Sequence, residues 1–358
     1  MSTHLDLLAL CYAATLGACV LWACGSDSAP APPARGVNDG DSGPAGFGGV
    51  AATGGTNSAG AGGLMAGGGS TSGGGTGGTG GTVSTGGSSS GVVDECPQPL
   101  ADWIFCDSFE SGQTYDGSTT TPVIVEDPGP MGLSGNHAMQ LRSPPGIRGG
   151  AGVWKSLTEN DRLYVRFYVQ WEPGYDPSAP HHGPGGLAAD TASYLGRSDI
   201  RPEGNEYFDA SMEFGVNSPY PLYSYTYYRG MYQDCADPNG SCWGDSFPCS
   251  YGASYCTNPD DLPRVAQPSY ENGKWYCIEQ FIDAGTPVSD GSAADGVLDF
   301  WIDGQEVGPW THIWWRTAPT LKINTLWLYL FNHDGTHSVP GLLIDDVVVS
   351  TSRIGCRG

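Results

Sequence analysis

The chain has 358 residues, 56 of them glycine, and its 38 acidic residues against 15 Lys and Arg give a formal net charge of −23. So acidic a chain is a poor partner for nucleic acid. Residues 96–358 alone carry 32 Asp and Glu against 14 Lys and Arg, so a polyanionic polysaccharide would be repelled overall unless a local basic patch reversed the field.

Residues 1–24 have the pattern of an export signal. Leu7–Ala23 is apolar, and it is followed by Cys24 and a polar stretch. The sequence Leu-Trp-Ala-Cys ending at Cys24 resembles a bacterial lipobox, whose cysteine is lipidated and becomes the new N-terminus. Leu16–Cys19 is a second match, but Cys24 directly precedes the polar segment. An uncleaved anchor is the alternative, although a run of about 17 residues is at the lower limit for spanning a bilayer.

Residues 25–95 are almost entirely Gly, Ser, Thr, Ala and Pro. Such a segment cannot bury enough apolar surface to offset the entropy of ordering, so we expect a disordered tether with a span of about 45–50 Å. Residues 96–358 hold nearly all the aromatic and β-branched side chains and are long enough for one domain with its own core. The lipidated cysteine and the tether together predict an exported lipoprotein at the outer membrane or cell surface, or a secreted protein.

Eight cysteines fall in the C-terminal domain, and an even number in an exported domain predicts four disulfides. Their pairing is open, because eight cysteines allow 105 connectivities. A zinc site is the alternative, but the spacing lacks C-x-x-C and no histidine is interspersed. The eight are Cys96, Cys106, Cys235, Cys242, Cys249, Cys256, Cys277 and Cys356.

Period-two alternation recurs through the C-terminal domain and predicts β-strands. Arg162–Trp171 places Leu, Val, Phe, Val and Trp on one face and Arg, Tyr, Arg, Tyr and Gln on the other. No stretch has a helical period over a dozen positions, so the pattern predicts an all-β antiparallel sandwich or jelly roll. The other predicted strands are Lys274–Asp283, Leu298–Asp303, Ile323–Phe331 and the buried closing strand Leu342–Ser350.

Aromatic residues on alternate strand faces suit a sugar chain, because pyranose C–H faces stack on aromatic rings while hydroxyls bond to polar groups. Cross-strand ladders on a solvated face are the alternative. Tyr164, Tyr168 and Glu279 are the candidate substrate contacts on the predicted strands. We expect a monomer whose partners are a polysaccharide and, through the lipid, a membrane.

Three segments together resemble the concanavalin A-like jelly-roll superfamily. Phe105–Gly112 is similar to its opening strand, and Ile344–Ser350 to its closing strand. Gly273–Glu279 followed by Asp295–Gly304 is similar to its paired strands "G-x-W-x-x-x-E" and "D-G-x-L-x-x-W-x-D-G". The resemblance spans essentially the whole domain and implies the fold, but this fold hosts lectins, hydrolases, lyases and adhesion modules alike.

Within that superfamily, the chain resembles polysaccharide lyases of family 14 and of the heparinase-related kind. Tyr164–Val169 and His181–Leu187 are similar to a strand and its following "G-G-K-L-P-G-L" loop. Phe208–Phe214 and the later Tyr-x-Tyr pair are similar to "F-S-A-R-x-M-W" and "Y-x-Y". The loop lysine is absent here, and the arginine position falls on Ser211. The tyrosine pair carries over as Tyr223 and Tyr225.

A lyase must neutralise a uronate carboxylate, remove the C5 proton and protonate the leaving oxygen. The resemblance implies Tyr223 or Tyr225 as the acid, and His181 or His182 could be the base. An exposed polar loop is the alternative reading of the two histidines. The candidates for clamping the carboxylate are Arg197, Arg201 and Arg229.

Three other function classes are alternatives to the lyase. Asp209 and Glu213 share a strand face and could serve a glycoside hydrolase, as could Glu279 and Asp283, but neither pair stands in the E-x-D-x-x-E or E-x-D-x-E motif of jelly-roll hydrolases. A non-catalytic glycan-binding or adhesion module is the main alternative to the lyase. A purely structural envelope protein fits less well with the many aromatic residues on alternate strand faces.

Four carboxylates indicate a cation site. Asp107 and Glu110 lie on the predicted opening strand, and Asp345 and Asp346 lie on the closing one. If these strands are neighbours, their oxygens suit Ca²⁺. Acids that cap turns and face solvent are the alternative.

Overall fold

The computed structural model describes the C-terminal domain with gaps. The predicted signal at residues 1–24 and all of the tether except Asp94 and Glu95 lie outside the described residues, as do Cys235, Cys242, Cys249 and Cys256. Among the residues that the structure describes, none form a helix of the length and hydropathy needed to cross a bilayer. The described residues are 94–97, 99–112, 115–120, 122–133, 135–143, 149–177, 181–197, 200–215, 221–231, 244–248, 270–333 and 340–357.

This part of the chain is built from β-strands, with one 3-10 helix at Gly291–Ala293. The strands are β1 (Trp103–Asp107), β2 (Gly117–Ser118), β3 (Val123–Glu126), β4 (His137–Leu141), β5 (Gly149–Asn160), β6 (Arg162–Trp171), β7 (His181–His182), β8 (Pro184–Asp190), β9 (Tyr207–Phe214), β10 (Leu222–Tyr227), β11 (Asp245–Phe247), β12 (Trp275–Asp283), β13 (Gly296–Ile302), β14 (Gln305–Glu306), β15 (Trp310–Ile313), β16 (Ile323–Asn332) and β17 (Leu342–Ser350).

The strands form two antiparallel sheets, as an all-β jelly roll of the concanavalin A-like kind requires. The first sheet has the order β14-β13-β12-β6-β17-β4-β3, with β1 also paired to β17 and β15 to β13. The second sheet has the order β11-β10-β9-β8-β16-β5-β2, with β7 also paired to β16. The strands predicted at Arg162–Trp171 and Leu342–Ser350 have the predicted bounds.

The core lies between the two sheets. The apolar face of β6 supplies its first layer, and Leu163, Val165, Phe167, Val169 and Trp171 are all fully buried. The second sheet supplies the facing layer from alternate residues of β9 and β16, among them Ala210, Met212, Leu326, Leu328 and Leu330. Alternation therefore decides which side chains of each strand reach the core.

Part of the other face of β6 is covered, and this corrects the prediction that Tyr168 and Glu279 belong to an open sugar-binding surface together with Tyr164. The C-terminal tail crosses this face: the backbone N–H of Arg357 donates to the Tyr168 hydroxyl at 2.6 Å. The Glu279 carboxylate, 1% exposed, accepts the N–H of Ile354 at 2.7 Å. Tyr164 stacks on the Phe281 ring at 4.4 Å. Two of the three candidates are thus buried beneath the tail, on the first sheet.

Two disulfides are present in the described residues. One joins Cys96 to Cys106 beside the opening strand, and the other joins Cys277 on β12 to Cys356 in the C-terminal tail. The latter holds the tail against the first sheet. The remaining four cysteines lie outside the described residues, so their pairing stays a prediction.

The two disulfides should differ in their effect on stability. The Cys277–Cys356 bond closes a sequence separation of 79 residues and the Cys96–Cys106 bond one of 10. Because a longer closed loop restricts the unfolded chain more, replacing the Cys277–Cys356 pair with serines should cost about 2 kcal/mol more than replacing the other pair. Urea unfolding of the two double variants measures this difference. Equal losses would mean that loop entropy does not govern the contribution of the tail disulfide.

Candidate functional site

One face of β9 carries Asp209, Ser211 and Glu213, as the sequence predicted. They alternate with Ala210 and Met212, which pack in the core, so their side chains lie on the opposite face of the second sheet. The neighbouring strand β10 is aligned so that its tyrosines stand beside these residues. The register partners are Tyr223 with Glu213, Tyr225 with Ser211, and Tyr227 with Asp209.

The carboxylate of Glu213 is the centre of a hydrogen-bonded cluster. Glu213 has no exposed surface. Tyr223 donates its hydroxyl to Oε2 at 3.1 Å, and Tyr329 donates its hydroxyl to Oε1 at 3.0 Å. Nδ1 of His182 lies 2.9 Å from each of the two oxygens. We call Glu213, His182, Tyr223 and Tyr329 the Glu213 cluster.

Glycines in the His-His-Gly-Pro-Gly-Gly stretch bring His182 to Glu213. In β7, His181 pairs with Asn332 and His182 with Phe331, so the segment runs along β16. Gly183 and Gly185 adopt φ of 129° and 110°, and a Cβ at either position would collide with the backbone carbonyl oxygen of Tyr329 or Trp327. Only glycine permits this backbone path so close to the next strand.

A second pair of tyrosines adjoins the Glu213 cluster. The hydroxyl of Tyr225 accepts the N–H of Gly244 at 2.9 Å and lies 3.2 Å from the hydroxyl of Tyr227. The ring of Tyr225 lies 5.4 Å from that of His182. Burial raises the pKa of Tyr225 well above its usual value, so this phenol keeps its proton at neutral pH.

Asp209 lies four residues before Glu213 on the same strand face. It is 5% exposed and accepts the hydroxyl of Tyr207, while its Oδ1 is buried without a hydrogen-bond partner. Burial outweighs the Tyr207 hydrogen bond, and together with the charge of Glu213 it raises the pKa of Asp209 to about 7. This carboxyl group is therefore partly protonated near neutral pH.

The face also carries aromatic rings from β16. Trp327 and Tyr329 stack with their ring centroids 3.8 Å apart, and Trp154 on β5 is the register partner of Trp327. Sequence reasoning predicted this strand but missed Trp327 and Tyr329 as site residues. The alternation of this strand could have identified them. Leu326, Leu328 and Leu330 form its apolar set and face the core, so the aromatic residues between them face away from the core.

The predicted arginine clamp is not part of the Glu213 cluster. The strand that carries the tyrosines ends at Tyr227, so Arg229 lies beyond β10. The Arg229 guanidinium lies over the Trp314 ring at 4.9 Å and is 3.8 Å from Glu203. Arg201 donates to the Met231 carbonyl at 2.7 Å, and Arg197 lies over the Tyr194 ring at 5.4 Å.

The four predicted cation ligands lie near β1 and β17, which are paired as expected, with Asp107 opposite Val347. Each of the four carboxylates has a partner within the protein. Asp107 accepts the Phe109 N–H, and Glu110 lies 2.9 Å from Nδ1 of His137. Asp345 accepts a hydrogen bond from the Asn136 side chain, and Asp346 accepts one from the Arg357 guanidinium. Burial raises the pKa of Asp107 to about 6 and that of Asp345 to about 8. Among the described residues, no three His, Cys, Asp or Glu side chains are grouped to hold a metal. Calcium binding here stays a prediction.

No protein-family model matches this sequence, and neither does any curated protein. Several solved structures are similar to it in fold. The alginate lyase vAL-1 from Chlorella virus has 13% sequence identity and a TM-score of 0.46, over 66% of this chain and 91% of that one. The marine PL-14 alginate lyase from Aplysia kurodai has 11% identity and a TM-score of 0.44, over 66% and 92%.

The endo-β-1,4-glucuronan lyase from the fungus Trichoderma reesei has 17% identity and a TM-score of 0.38, over 71% of this chain and 92% of that one. Identities and TM-scores this low do not transfer an activity. The structure defines the class of protein as an all-β jelly-roll sandwich.

The raised pKa of Asp209 predicts a pH-dependent stability. The folded state binds this proton up to about pH 7, whereas the unfolded state releases it near 3.8. The free energy of unfolding should therefore fall as the pH rises from about 4 to about 7. Asp209→Asn should reduce the difference measured by urea unfolding between pH 4 and pH 8 by on the order of 2–4 kcal/mol.

Glu159→Gln, at an exposed position of β5, is the control and should retain the wild-type pH dependence. The same pH dependence in Asp209→Asn and in the wild type would contradict a raised pKa at Asp209.

Proposed function

We propose that the face of the second sheet around Glu213 binds a polysaccharide and cleaves it by β-elimination. The observation that carries the proposal is the buried Glu213 carboxylate, which binds one imidazole and two phenol hydroxyls. A carboxylate that holds a histidine beside a protonated tyrosine is an arrangement for moving protons between a base and an acid. The Tyr-x-Tyr pair of the lyase pattern falls on this face.

His182 is the base. A carboxylate only accepts hydrogen bonds, so the 2.9 Å contact to Glu213 requires the hydrogen on Nδ1. The neutral ring then has its lone pair on Nε2, which can take the C5 proton of a uronosyl residue. The His182 side chain is 25% exposed, so it is accessible to a bound sugar.

Tyr225 is the acid. Its raised pKa keeps the hydroxyl protonated, and its ring lies 5.4 Å from the imidazole of His182. The Tyr225 hydroxyl would donate its proton to the leaving glycosidic oxygen as the C–O bond breaks. The stacked rings of Trp327 and Tyr329 lie on the same sheet face, where each is only 5% exposed, so they support the site from below its surface.

A non-catalytic glycan-binding module is the second candidate, and the charge of the face favours it. With His182 neutral, the cluster and its neighbour Asp209 carry no positive charge, and Ser211 stands where the lyase pattern has an arginine. On the described strands of the second sheet, the one Lys or Arg is Lys155, which is paired with Asp116 at 3.2 Å. A uronate carboxylate would meet little positive charge here.

A glycoside hydrolase fits the geometry less well. Asp209 and Glu213 could supply two carboxyl groups, but both oxygens of Glu213 are already hydrogen-bonded to His182, Tyr223 and Tyr329. The lipid anchor at Cys24 and the calcium site stay predictions from the sequence. With them, the proposal describes a surface lipoprotein that holds its jelly-roll domain on a tether.

Replacing Tyr225 separates the candidates. The full chain is incubated with a panel of uronic-acid polysaccharides that includes alginate and glucuronan, and the ultraviolet absorbance of the unsaturated product is followed. Tyr225→Phe should lower product formation by about 10²–10⁴-fold, because it removes the acid, while glycan binding changes by on the order of 1 kcal/mol.

Tyr164→Phe, on the first sheet, is the matched control and should retain wild-type turnover. Product formation that survives Tyr225→Phe unchanged would remove this residue from the mechanism. Binding without product in the wild-type protein would reject the lyase and leave the glycan-binding module.

A further inference from the structure

The side chain of Gln280 crosses the core from the first sheet to the second. Gln280 lies on β12 between the core residues Ile278 and Ile282 and has no exposed surface. Its Nε2 donates to the backbone carbonyl of Ala210 at 2.6 Å, and its Oε1 accepts the N–H of Leu187 at 3.1 Å. A buried amide is tolerated only where both its donor and its acceptor find partners, and here both partners belong to the opposite sheet.

The Leu187 N–H and the Ala210 carbonyl, which Gln280 binds, belong to facing residues of adjacent strands. Leu187 on β8 and Ala210 on β9 are register partners. In an undisturbed antiparallel ladder, backbone groups pair with other backbone groups. At this pair a side-chain amide from the other sheet binds one group of each strand. The separation of β8 and β9 at this point therefore depends on Gln280.

Gly186 gives the amide its space. A Cβ at position 186 would lie 2.7 Å from Oε1 of Gln280 and would also collide with the carbonyl oxygen of Ala210. Because position 186 is glycine, β8 has no side chain where the Gln280 amide lies.

The same two strands carry the Glu213 cluster. Pro184 is the register partner of Glu213, three residues along the ladder from the pair that Gln280 binds, or about 10 Å. His182 precedes Pro184 by two residues, and its Nδ1 contacts Glu213 at 2.9 Å. A change in the separation of β8 and β9 would therefore alter the distance between the imidazole and the carboxylate.

We propose that Gln280 is a positioning residue that sets the spacing of β8 and β9 and so holds His182 against Glu213. Its effect on turnover rests on the proposed function, but its effect on the His182–Glu213 contact does not. Gln280 would act through the two backbone groups and would touch neither the base nor the acid.

The test is Gln280→Met in the full chain, because methionine has a similar volume and lacks the amide. The ring signals of His182 are followed by NMR against pH, with the assignment taken from His182→Gln. In Gln280→Met the titration curve of His182 should move in the same direction as in Glu213→Gln, because both changes weaken the contact with the carboxylate. Turnover should fall by on the order of 10- to 100-fold with KM nearly unchanged, since the base is misplaced and not removed.

Ile282→Val is the matched control, because it removes core volume from the same face of the same strand without touching a polar contact. It should leave the His182 curve in place. Gln280→Leu, which likewise replaces the amide with an apolar side chain, should reproduce the shift and replaces Gln280→Met if that variant does not fold.

A His182 curve that matches the wild type in Gln280→Met or in its replacement, while Glu213→Gln shifts it, would overturn the positioning role. Absence of product from the wild-type protein would reject the lyase alone, because the titration still decides the role of Gln280.

Discussion

The site is built around one buried carboxyl group. A carboxylate without exposed surface is costly unless its oxygens are fully hydrogen-bonded, and Glu213 meets that condition with partners from three other strands. His182 comes from β7, Tyr223 from β10 and Tyr329 from β16. Hydrogen bonds to Glu213 therefore connect β7, β9, β10 and β16 at the point where the polar and aromatic side chains of the second sheet lie together.

The backbone around Glu213 is shaped to meet that need. Glycines at 183 and 185 allow the chain that carries His182 to lie against β16. Across the core, Gln280 binds the backbone of the two strands that present His182 and Glu213. In both cases a glycine or a polar residue stands where alternation alone predicts an apolar side chain. Both features help to hold His182 beside Glu213.

The sequence predicted what local patterns determine. The bounds and the apolar face of β6 and the shared face of Asp209 and Glu213 follow from period-two alternation, and the bounds of β17 follow from its pattern as a buried closing strand. Contacts between distant segments could not be predicted in this way. Tyr329 reaches Glu213 across 116 residues, and Ile354 binds Glu279 across 75. The second contact explains the error at Tyr168 and Glu279: their face alternates like an open surface, but the C-terminal tail covers it.

The central claim is that a glycan binds the sheet face around Glu213, and histidine NMR of the full chain tests it most directly. His182 and His333 lie on this face with ring centroids 4.8 Å apart, whereas His137 is paired with Glu110 and His312 contacts the Ala294 carbonyl. Titration with oligosaccharides from the polysaccharide panel should move the signals of His182 and His333 and leave those of His137 and His312 unchanged. Binding that shifts His137 or His312 and leaves His182 unmoved would contradict the account.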